Sequence, residues 1–144
     1  MESRMIESIY AALEKVGFTH PLHPVLVHVP MGMIIGMFLF SLIGLIWKKG
    51  FLLQTAYHCS FLALISILPV ILAGLMDWQH RLNGDWKPLI IVMMVLSCIL
   101  TLLLVYAVII RNRGAAPRHL FIVYTICLFC AGGLGYSGGQ LVYG

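Results

Sequence analysis

The run HPLHPVLVHVPMGMIIGMFLFSLIGLIW, His20 to Trp47, decides the fold. From Val25 onward it contains no Asp, Glu, Lys or Arg, and it exceeds the ~20 apolar residues a helix needs to cross a bilayer. Pro24 suits a first helical position, where a missing N–H leaves no bond unmade. Pro30 sits deeper, frees the carbonyl of Leu26, and predicts a kink.

Working outward, Lys48, Lys49 and Gly50 turn the chain, and three further apolar blocks follow at about 51–76, 88–110 and 119–142. Pro69 is a second expected kink, and Asp77 to Lys87 is expected to be a polar loop. Of the 144 residues, 61% are hydrophobic and 10% charged, with a mean hydropathy of +1.00. A soluble domain would be about half apolar and about a quarter charged. The expectation is an all-α integral membrane protein, one domain over 1–144, with spans at 25–47, 51–76, 88–110 and 119–142 forming an up-down-up-down four-helix bundle. Trp47, Trp78 and Trp86 fall at span ends, where amphipathic rings favour the headgroup layer.

Ahead of the first span, Met5, Ile6, Ile9, Leu13 and Val16 recur at helical spacing, and Gly17 is a natural stop. Residues 1–19 therefore read as a short amphipathic helix lying in the membrane interface. Three glutamates among the first sixteen residues argue against a signal peptide.

The net charge of +4 is spread over short loops, with no basic stripe interleaved with aromatics, so nucleic-acid binding is not expected. Lys48, Lys49, Arg111, Arg113 and Arg118 gather on one side, while Arg4, Lys15, Arg81 and Lys87 share the other with all five acids. Counting Lys and Arg alone places the first group in the cytoplasm and both termini in the periplasm of a multi-pass inner-membrane protein. No phosphate-cradling glycine loop and no nucleophile-base-acid set lies outside the spans, which speaks against a soluble hydrolase or nucleotide enzyme.

The six histidines carry the chemistry. His58 and His119 fall near the basic side, and His20, His23, His28 and His80 near the other. In a bundle whose neighbouring axes lie about 8–10 Å apart, two inward imidazoles from the second and fourth spans would flank a flat iron porphyrin. That pattern points to haem b ligated by His58 and His119. On the other side His28 is the leading ligand, because Gly32 and Gly36 leave a slot along its helix face; His80 is its candidate partner, with His20 or His23 as alternatives. The slot would equally admit another helix, since Gly32-Met-Ile-Ile-Gly36 is a small-xxx-small pattern. His20 and His23 each precede proline, which biases them towards extended backbone. Asp77, at the end of the second span, would orient a ligating histidine or play a structural part.

Zinc on His20, His23 and His28 with Asp77 or His80 is the competing reading, with copper on the same residues behind it. Cys127-Leu-Phe-Cys130 is followed by Ala131 rather than histidine, so it is not a c-type haem attachment, and packing is the default for all four cysteines.

The strings His20-Pro-Leu-His23-Pro-Val-Leu-Val-His28-Val-Pro30-Met-Gly, Gly74-Leu-Met-Asp77-Trp78 after a gap, and Gly138-Gly-Gln-Leu-Val-Tyr143 resemble a bacterial family described as a predicted membrane domain of unknown function. The resemblance covers residues 20–144 and matches His20, His23, His28 and Asp77 to motif positions; His58 and His119 are not assigned by it. It implies four spans and, in some members, fusion or gene proximity to haem electron carriers. In many relatives the last motif continues into another histidine, whereas here the sequence reads to Gly144.

Together these readings predict a b-type cytochrome-like subunit with one or two haems, passing electrons between the quinol pool and a redox partner such as a c-type cytochrome. A metal-binding or transport protein using the outer histidines is a second reading. A cofactor-free structural subunit, assembled into a homo-oligomer or larger complex through Gly32, Gly36 and the glycine-rich fourth span, is a third.

Overall fold

In the computed structural model, residues 2–17, 22–81 and 85–143 are described, and His20 lies outside them. These residues form five helices and no strand: α1 (Glu2–Lys15), α2 (Leu22–Ile46), α3 (Gly50–Arg81), α4 (Pro88–Asn112) and α5 (Pro117–Tyr143). Four of them, α2 to α5, are long and apolar enough to cross a membrane. They pack as a ring, α2 against α3 and α5, and α4 against the same two, with the α2–α3 seam the most extensive.

A stripe of small residues sets that seam. On α3 the buried positions Ala56, Ser60, Ala63, Ile67, Val70 and Ala73 follow one another at helical spacing. Across from them Gly36 and Gly44 let the backbones close. A Cβ at Gly36 would sit 3.4 Å from Cys59 Sγ, and one at Gly44 would sit 2.9 Å from Leu53 Cδ2 and 3.2 Å from the Leu53 amide. Association in lipid rests on such packing, because tails are as apolar as leucine. The bundle centre is filled by Ile34, Met37, Leu104, Tyr124 and Cys127, each at most 2% exposed.

Two turns close the basic end by the same device. Beyond α2 the Lys49 amide donates to the Gly44 carbonyl at 3.0 Å, with Lys48 at φ 51. Beyond α4 the Ala115 amide donates to the Ile110 carbonyl at 2.9 Å, with Gly114 at φ 80. Both are helix ends closed through a left-handed residue, a position glycine fills without strain. In the first turn glycine arrives two residues late, so a lysine takes it.

The boundaries differ from expectation in two places. The first membrane helix begins at Leu22, not near Val25, so His23 is helical despite preceding proline. Pro24 then lies within the first turn, where a missing N–H is tolerated. The second membrane helix does not stop at Met76; it runs to Arg81, turning the expected loop residues Asp77 and His80 into helical ones. Trp78 Nε1 donates to the Asp85 carbonyl at 3.0 Å, and its ring meets Trp86 edge-on at 4.8 Å, tying that helix end to residues 85–87 ahead of α4.

Candidate functional site

The overrun of α3 builds a polar knot opposite the basic end. Asp77 accepts from the Leu22 amide at 3.3 Å and from the His23 amide at 2.8 Å, and the Tyr10 hydroxyl donates to its Oδ1. A carboxylate on one helix thereby caps the N-terminus of another, where orphan amides and the helix dipole favour negative charge. Tyr10 is 5% exposed, and its ring stacks on His80 at 4.1 Å with planes 5° apart. The short N-terminal helix is thus anchored on α3 through one aromatic side chain.

His23 is the best-fixed histidine. Its Nδ1 lies 3.0 Å from the Val70 carbonyl, and the ring rests on Gly74, where a Cβ would meet Nδ1 at 3.0 Å. Since a carbonyl only accepts, Nδ1 is the donor in this contact. The role of Gly74 follows from this contact: it is the gap in α3 that admits the His23 ring. Among the described residues Asp77 bonds the Leu22 and His23 backbone and the Tyr10 hydroxyl, a structural part in the knot.

His28 is exposed, as is Gly32 one turn along, and a Cβ added at Gly32 would meet nothing within 4 Å. The expected slot therefore exists at Gly32, but at Gly36 it is taken up by Cys59 and Phe40. It opens on the outer surface of the bundle. On α5, the neighbouring helix, Gly132 and Gly139 are equally open, and Gly135 carries Met31 of α2 at 3.5 Å.

At the basic end, His58 and His119 are both exposed rather than inward. His58 stands two residues from Ala56 and from Ser60, across the helix from the buried stripe. The Gln54 amide donates to its Nε2 at 3.2 Å, while Gln54 Oε1 accepts from Arg111 Nη2 at 2.9 Å. His119 Nε2 is 3.5 Å from the Tyr106 hydroxyl. Among the described residues no hydrogen bond or ring contact links the two histidines, and none links His28 to His80. Among the described residues no three of His, Cys, Asp and Glu converge as ligands of one metal ion. All four cysteines are free, with Cys127 buried in the bundle.

Sequence reasoning missed Tyr10 and the caps made by Asp77. The available signal was the lone aromatic of α1 on its apolar side; its partner 67 positions away was not readable.

The fold is thus that of a four-span helical membrane protein with an anchored N-terminal helix. The chain belongs to the DUF2231 family, described as predicted membrane protein, whose model matches residues 19–144. No curated protein and no solved structure matches it.

Proposed function

We propose that this chain is a membrane-embedded electron-transfer subunit that binds haem b on the outer face of α2, with His28 as an iron ligand and Gly32 as the gap beside it. The observation that carries this reading is the exposed His28 itself. It lies six residues into the helix, about 9 Å along its axis. An ionisable side chain facing lipid at that depth is costly unless something partners it. The empty turn at Gly32 supports a flat partner lying against the backbone.

Among the described residues no second histidine ring stands beside His28, so a second iron ligand would come from the His28 of a second copy, as a two-fold interface brings identical residues together. Bound haem would supply the one-electron couple. The chain's own part is to hold the imidazole at a fixed depth, exclude water with α2 and α5, and keep the helix start rigid through His23 and Asp77. Electrons would pass between the quinol pool and a redox partner such as a c-type cytochrome. The Lys and Arg bias supports an inner-membrane orientation with the basic end in the cytoplasm.

A cofactor-free reading rests on Gly132 and Gly139, open positions on α5, the helix packed beside α2. Under it, the glycines serve helix packing between copies. The two readings part on His28→Ala and Gly32→Leu, compared by visible spectrum and by size in detergent. Haem ligation predicts loss of the Soret band in both variants. Retained dimers with no haem in the wild type would refute it.

A further inference from the structure

The basic end holds a half-open cavity of about 300 Å³ between the two closing turns and the helices they join, lined among others by Ser41, Gly50, Arg111, Gly114, Ala115 and Tyr124. We infer that this cavity is a binding site for a phosphate group, carried either by an anionic lipid headgroup or by free phosphate. The site is independent of the haem reading.

Three features of the cavity converge on an anion. Arg111 lines it and is held in place, its Nη2 donating to Gln54 Oε1 at 2.9 Å and its guanidinium lying 5.5 Å over the Tyr57 ring. One of its five N–H donors is used on Gln54; the planar fork suits a phosphate. The start of α3 opens into the same space. Its first backbone bonds run from Leu52 and Leu53 to the Lys49 carbonyl, so the Gly50 and Phe51 amides keep no backbone acceptor. Such amides are the positive end of the helix dipole.

The third feature is a hydroxyl on the cavity wall. Thr55, Ser60, Ser66, Ser97, Thr101 and Thr125 each bond a carbonyl of the preceding turn. Ser41 lies on the same kind of helix and is 1% exposed, it lines the cavity, and among the described residues its hydroxyl makes no such bond to the preceding turn. Its oxygen is not a sealed orphan but a hydroxyl at the cavity wall, placed to donate to a phosphate oxygen. The acids of the sequence, Glu2, Glu7, Glu14, Asp77 and Asp85, all belong to the other end. A general attraction of Lys48, Lys49, Arg113 and Arg118 for acidic headgroups would give weak, diffuse binding; the cavity predicts one tight position. Basic pockets between membrane helices recur as anionic-lipid sites.

The test titrates the full chain, purified in a neutral detergent, with phosphatidylglycerol against phosphatidylcholine and reads bound lipid by native mass spectrometry. Inorganic phosphate is added in a parallel arm. The expected result is one phosphatidylglycerol per chain, preferred at least tenfold. Arg111→Gln should lower that preference about tenfold, and Arg113→Gln should leave it within twofold. Ala115→Phe fills the space while retaining every charge, and should abolish tight binding even if Arg111→Gln fails to fold. Displacement of the lipid by millimolar phosphate, or saturation by phosphate alone, identifies the free ion as a ligand of the same site. Equal losses in Arg111→Gln and Arg113→Gln, or undiminished binding in Ala115→Phe, would overturn the assignment.

Discussion

Replacing Asp77 with alanine should release α1 from the bundle and loosen the start of α2 together. The carboxylate accepts from the Leu22 and His23 amides and from the Tyr10 hydroxyl, so the substitution removes a helix cap and an acceptor for a buried phenol in one step. Loss of the cap is worth about 0.5–2 kcal/mol. Loss of an acceptor at a buried hydroxyl adds about 1–3 kcal/mol. A total near 2–4 kcal/mol is expected, measured as the shift in unfolding by dodecyl sulfate in mixed micelles. Hydrogen exchange over residues 5–17 reports α1 separately. Tyr10→Phe keeps the ring stacked on His80 and removes only the hydroxyl, so it should lose the smaller part. Combining the two should give a coupling of about 1–2 kcal/mol, because both act on one bond. Additive losses, or full protection of α1 in Asp77→Ala, would refute the account of the knot.

Three other substitutions test close contacts. Gly74→Ala should destabilise by about 1–2 kcal/mol, since the added methyl displaces the His23 ring from the Val70 carbonyl and outweighs the helix preference of alanine; in a His23→Ala background the same change should become neutral or stabilising in the dodecyl sulfate assay. Gly44→Ala should cost about 1–3 kcal/mol, because the methyl meets the Leu53 backbone as well as its side chain. Lys48→Gly should raise stability by about 0.5–1 kcal/mol, read as a higher unfolding midpoint, by removing a side chain from a left-handed position.

The four spans were legible because a bilayer demands an uninterrupted apolar length, and the sequence supplies four such lengths. The end of α3 was not, since Asp77, Gln79 and His80 resemble a loop when only polarity is read. Their helix persists because the side chains on it hold α1 and α2. His23 shows the same limit: the bias of a residue before proline was overridden by a cap contributed from 54 positions away. The facing of His58 was readable in principle. Ala56-xxx-Ser60 marks the interface of α3, and a histidine two residues from each lies on the opposite side. The slot beside His28 was anticipated at Gly32, but its second half at Gly36 is occupied by Cys59, a contact that periodicity cannot reveal.

The central claim is a haem held by His28 at a two-fold interface. A pyridine haemochrome assay on the full chain, purified from a membrane supplied with haem, measures it directly. The account predicts haem b at about one per two chains in the wild type and none in His28→Ala. Wild-type protein with neither a Soret band nor iron, or haem binding unchanged by His28→Ala, would contradict it.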